Sequence, residues 1–138
     1  MSLRDDLSGV LARDPRYSIQ AYAFVFEALE FTKNQKKRSQ GRSRRQGKVP
    51  AASRHVSGRE LCEGARQLAL SHYGLLALMV LNLWGIRSTS DIGTIVYNLI
   101  ASGDLEKTPN DSRGDFDNVY DFETAFRREY VLALDEVA

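Results

Sequence analysis

Apolar residues recur at helical spacing through most of this chain, and the best punctuated stretch runs from Val56 to Gly103. A helix opens there with a capping box, Ser57 with Glu60 three residues later, and with a staple pairing Val56 and Leu61. Leu61, Ala65, Leu68 and His72 then share one stripe, with Cys62 and Ala69 beside them, until Gly74 ends it. From Leu75 to Trp84 the chain is apolar on every side (Leu75, Leu76, Leu78, Met79, Val80, Leu81, Leu83), a pattern that predicts a centrally buried helix. Gly85 can close that helix in the left-handed conformation, and Ser88, with Asp91 in the box position, caps a third. Ile92, Ile95, Val96, Leu99 and Ile100 form its apolar stripe, and Gly103 terminates it.

Helix, tight turn and amphipathic helix make the outline of a helix-turn-helix. Leu105 to Thr108 and Val119 to Asp121 are expected to pair as a short hairpin around PNDSRGDFDN, the wing of a winged helix. Upstream, Leu3, Leu7, Val10 and Leu11 predict a short helix that stops at Asp14 and Pro15. A long helix from Ser18 to about Asn34 carries Tyr22, Phe24, Val25, Phe26, Ala28, Leu29 and Phe31 over a wide arc, so it needs more than one neighbour. Downstream, Asp121 is placed to cap a last helix with Phe122, Ala125, Phe126, Tyr130, Ala133 and Leu134 on one side. The expected fold is mainly α: one domain over residues 1–138, with a winged-helix-like core over 56–122 and an added N-terminal helix.

Charge changes this picture. The net charge of +1 conceals nine basic and no acidic residues between Lys33 and Arg54, which leaves ten Lys+Arg against 18 Asp+Glu elsewhere, a net of −8. With almost nothing apolar before Val49, residues 33–54 are expected to form a flexible basic loop. Lys36, Lys37, Arg38, Arg42, Arg44, Arg45, Lys48 and Arg54 are the candidate nucleic-acid-binding residues, because cations brought to phosphates release condensed counterions. RNA is favoured over DNA, since flexible arginine-rich segments commonly order on structured RNA. Apolar content of 43% and a length of 138 residues suit one ordinary globular core. A single cysteine, no signal peptide and no run of eighteen apolar residues lead us to expect a cytoplasmic protein without a membrane partner.

No recognised chemistry is written in the sequence. The third helix offers Thr94 and Asn98 to a base edge but no Lys or Arg to a phosphate, and Asp91 would repel DNA, so protein contact suits a winged-helix scaffold better here. Cys62 lies on an apolar stripe, where an inert thiol is the usual finding, and Cys62, His55 and His72 have no zinc spacing. Asp111, Asp115, Asp117 and Asp121 cluster, but Arg113 stands where a calcium loop needs an oxygen ligand. Neither phosphate-binding glycine pattern occurs. We therefore expect no catalytic residues, no metal and no cofactor.

Gly85 to Ile100 (GIRSTSDIGTIVYNLI), Asp111 to Phe126 (DSRGDFDNVYDFETAF) and RDPRYSIQAYAFVFEALEFT near the start resemble an uncharacterised family of small bacterial proteins. The resemblance implies that the third helix and the segment 111–126 form one unit; it implies no activity. The expected function is that of a non-enzymatic accessory protein that binds nucleic acid, RNA or the ribosome first, through the basic loop. One alternative is a protein-interaction module or homodimer joined through the aromatic helix 18–34, and a second is a small enzyme of unrecognised type.

Overall fold

The computed structural model describes residue 11 and residues 14–41, 55–109 and 111–128. The chain is mainly helical: α1 (Ile19–Gly41), α2 (Gly58–Tyr73), a 3-10 turn (Gly74–Leu76), α3 (Ala77–Leu83), α4 (Thr89–Ala101), a second 3-10 turn (Arg113–Phe116) and a π-helical turn (Thr124–Arg128).

α1 and α2 lie antiparallel. The Lys36 ammonium meets Glu60 at 3.0 Å at one end of the pair, and His72 meets Glu27 at 3.7 Å at the other. Between them Gly64 faces Thr32, and a methyl group at Gly64 would overlap the threonine hydroxyl, so the glycine sets how closely the helices pack. The expected capping box is formed, with Glu60 N–H donating to Ser57 Oγ at 3.1 Å and Ser57 N–H to Glu60 Oε1 at 3.0 Å. Tyr22, Phe24, Val25 and Ala28 of α1, Leu61, Ala65 and Leu68 of α2, and Ile92, Ile95 and Leu99 of α4 build the core. Of the wide aromatic arc of α1, Tyr22, Phe24 and Val25 are thereby buried within the chain, and Phe26, Leu29 and Phe31 are partly buried against the core.

α3 corrects the expectation of a central helix. Only Ala77 and Leu81 are buried, one i, i+4 pair, while Leu75, Leu76, Met79 and Leu83 stay 57%, 57%, 54% and 75% exposed. The stripes of α1, α2 and α4 already fill the core, and a seven-residue helix at its edge turns one stripe inward. Trp84 anchors its end against Phe24 and Tyr73, with ring centroids 5.9 and 5.8 Å away. Gly85 follows at φ 99°, pressed so closely on the Arg16 carbonyl that no side chain fits.

Two further expectations change. α1 runs seven residues past Asn34, so Lys33, Lys36, Lys37 and Arg38 sit on a helix and not in a loop; Lys, Arg and Gln are good helix formers, and Lys36 fastens the extension to α2. The hairpin is not formed: among the described residues there is no strand. Side chains satisfy the backbone locally, Asp111 accepting from Thr108 N–H at 2.8 Å and Asp115 from Ser112 N–H at 3.2 Å, and these bonds replace a ladder. The Arg113–Phe116 turn instead docks on α4. Thr89 Oγ1 donates to Phe116 O at 2.6 Å and accepts from Val119 N–H at 3.2 Å, and Phe116 covers Gly93, so segments 85–100 and 111–126 do form one packed unit. Asp121 caps the following turn through Thr124 N–H at 3.0 Å. Of the expected N-terminal helix only Leu11 is described, packed against the core, and Tyr130, Ala133 and Leu134 of the last helix lie outside the described residues.

Candidate functional site

Because α2 begins at Gly58, opposite the later turns of α1, the last turn of α1 overhangs its partner. Lys37 and Arg38 are exposed on this overhang. Lys36 has a different role: its ammonium donates to Glu60 Oε1 at 3.0 Å and to the carbonyl of His55 at 2.5 Å, so it ties the two ends of the basic stretch to the body. Burial pushes the Glu60 carboxyl up, but the Ser57 backbone N–H and Lys36 outweigh it and hold its pKa below the ordinary value. Lys33 makes an exposed pair with Glu30 at 3.9 Å. Arg42, Arg44, Arg45, Lys48 and Arg54 lie outside the described residues.

A cavity of about 330 Å³ opens where the basic stretch rejoins the body. Its apolar wall comes from Leu29 of α1, Leu61 of α2, Val96 and Ile100 of α4, and Leu105. At its polar side His55 Nε2 lies 2.7 Å from Asp111 Oδ1, while Asp111 Oδ2 accepts from Thr108 N–H and Oγ1 at 2.8 and 3.0 Å. Burial again raises the Asp111 carboxyl, yet the Thr108 N–H and His55 bring it below the ordinary value. Tyr97 completes the wall, edge-on to Phe116 at 6.5 Å, with the Arg113 guanidinium 5.9 Å from its ring centre. The Tyr97 hydroxyl is buried and has no hydrogen-bond partner among the described residues. Burial, Asp111 and Asp115 together push its pKa up, so it is a neutral phenol in a negative environment.

No protein-family model, curated protein or solved structure matches the chain.

The groups the sequence offered for other chemistry have structural duties. Asn98 donates to Asp14 at 2.9 Å and Tyr22 at 3.1 Å, Thr94 accepts from Arg113 at 3.0 Å, and Asp91 accepts from Tyr17, so the polar side of α4 is tied inward and away from any base edge. Cys62 is fully buried, and burial pushes its thiol up to about 12, where it is not a nucleophile at neutral pH. His72 is exposed beside Glu27 rather than on the core stripe. Asp111, Asp115 and Asp121 bond backbone N–H groups, and Asp117 accepts from Ser90 Oγ at 3.1 Å. Among the described residues no group of three or more His, Cys, Asp or Glu side chains could hold a metal ion, and no helix is long and apolar enough to cross a membrane.

Sequence reasoning missed the cavity. Its polar groups come from four separate segments, Lys33, His55 with Ser57, Tyr97 and 104–115, and only the fold of α1 on α2 and of the 3-10 turn on α4 brings them together. The capping box that starts α2 two residues after His55 marked the place without revealing the pairing.

Proposed function

We propose that the protein is a non-enzymatic accessory factor that binds nucleic acid, RNA or the ribosome in preference, through the basic arm that begins on the overhanging end of α1 and continues to Arg54. The observation that carries this reading is the placement of Lys37 and Arg38, exposed beyond the contact with α2, at the head of a stretch without a single acidic residue. A helical start presents Lys37 and Arg38 on a rigid platform, and the five further cations in the sequence up to Arg54 add to the charge available to phosphates. The inward ties of Thr94 and Asn98 favour backbone binding over base reading by α4. Fluorescence anisotropy of a labelled RNA hairpin, with wild type and an Arg42→Gln/Arg44→Gln/Arg45→Gln variant, tests it. Binding is expected to weaken at least tenfold in the variant, while equal binding by both would remove the arm from the site.

The apolar face of α3 favours a second reading, a homodimer in which Leu76, Met79 and Leu83 of two copies pack together. Light scattering coupled to gel filtration separates the two readings: a dimer that Met79→Glu dissolves supports the second, and a monomer at high concentration excludes it.

A further inference from the structure

The cavity beside the base of the arm has the attributes of a small-ligand site, and nothing in the nucleic-acid reading uses it. Its 330 Å³ lies at the low end of the roughly 300–1,000 Å³ of ligand pockets, and its lining combines a continuous apolar wall with a few convergent polar groups. Two of these observations bear on what it would take.

The first is charge. Four carboxylates line the cavity, Asp104, Glu106, Asp111 and Asp115, against one ammonium, Lys33. Lys33 is paired with Glu30, and among the described residues none of the four carboxylates makes an ion pair with a lysine or arginine. Apart from His55 beside Asp111, these carboxylates have no cationic partner among the described residues, so the polar side of the cavity is negative and an anionic ligand would be repelled. The second is the Tyr97 hydroxyl, buried without a partner in a molecule whose other buried side-chain polar atoms, among the described residues, all have one. Such a group costs free energy until something bonds to it.

We propose that the cavity between α1, α2, α4 and the Arg113–Phe116 turn binds a small organic ammonium with an apolar body, an arylalkylamine or alkylamine. The body lies against Leu29, Leu61, Val96 and Ile100. The ammonium donates to the Tyr97 oxygen and sits in the field of Asp115 and Glu106.

2-Phenylethylamine and 3-phenylpropionate, which share size and shape and differ in the sign of charge, are suitable probes. Isothermal titration of the full chain at neutral pH should give saturable binding of the amine and none of the acid, and thermal unfolding should show a midpoint that rises with amine concentration only. Tyr97→Phe should leave the midpoint of the free protein unchanged or higher, since it deletes an unsatisfied hydroxyl, while weakening the amine about tenfold. Glu106 is exposed and its side chain makes no hydrogen bond or ion pair among the described residues, so Glu106→Gln leaves the fold intact and should weaken the amine and reduce its sensitivity to salt. Equal binding of amine and acid, no binding of the amine at millimolar concentration, or unchanged affinity in Tyr97→Phe would each overturn the proposal. A lower unfolding midpoint for free Tyr97→Phe would also count against it, because the hydroxyl would then already have a partner.

Discussion

The Tyr17 hydroxyl donates to Asp91 Oδ1 at 2.5 Å across 74 residues of chain, and Asp91 Oδ2 accepts from the Arg87 N–H at 2.9 Å. One carboxylate thus joins the segment before α1, the turn after α3 and the first turn of α4. Tyr17 is almost fully buried, so its removal leaves the charge beneath it short of a donor. Tyr17→Phe should lower stability by about 1.5–3 kcal/mol, the usual worth of a hydrogen bond to a charged group, read from urea unfolding. A double-mutant cycle with Asp91→Asn should show coupling; strictly additive losses would mean that the bond contributes nothing in solution.

Gly64 and Thr32 fix the spacing of α1 and α2. Gly64→Ala should cost about 1–3 kcal/mol despite the better helix propensity of alanine, because the new methyl group overlaps Thr32. Thr32→Ala in the same chain should restore part of the loss, but not all, since Thr32 Cβ itself lies 3.0 Å from the added carbon. A stabilised single variant would show that the helices separate freely.

Both ends of the pH scale should destabilise the fold, for different groups. Asp14, bonded to the Arg16 guanidinium at 2.8 Å, is held well below the usual carboxylate range, and Glu60 and Asp111 are lowered as well. Groups with depressed folded pKa values add stability that is complete above about pH 4–5 and is lost as pH falls through their folded values. Asp14→Asn should therefore flatten the acid limb of a stability profile. Cys62 is raised to about 12 by burial, and Tyr17 and Tyr120 are raised too, also chiefly by burial. Their neutral forms add stability below about pH 8.5–10 that is lost as pH rises further. A thiol reagent should accordingly label Cys62 only on unfolding; fast labelling of native protein would contradict its burial.

The exposed apolar residues of α3, Met79 and Leu83, can be changed without harm to the core. Met79→Glu and Leu83→Glu should alter stability by no more than about 0.5 kcal/mol, as surface substitutions do, whereas Leu81→Ala should cost about 2–5 kcal/mol. Similar losses at all three positions would mean that the face is covered in solution.

The helices and their caps were legible because their signals are local: Ser57 with Glu60, Ser88 ahead of α4 and the glycines at 74, 85 and 103 act within a few residues. What the sequence could not carry was competition for burial. The run from Leu75 to Trp84 is as apolar as a central helix, yet a core already filled by three longer stripes left it at the edge. The hairpin failed for a related reason, since Asp111, Ser112 and Asp115 offered the backbone nearer partners than a second strand. The His55–Asp111 pair joins residues 56 apart in the chain, and Tyr97 is enclosed by Phe116 and Arg113 only because the 3-10 turn docks on α4; no local spacing encodes either.

Nucleic-acid binding by the basic arm is tested most directly by the salt dependence of affinity. Anisotropy titrations of labelled structured RNA, duplex DNA and single strands should give log Kd rising linearly with log salt for the intact chain, with RNA bound most tightly. Neutralising Arg42, Arg44 and Arg45 should reduce the slope by about 2–3, one for each lost phosphate contact. Absence of binding at low salt, or a slope that the three substitutions leave unchanged, would contradict a polyanion-binding role for the arm.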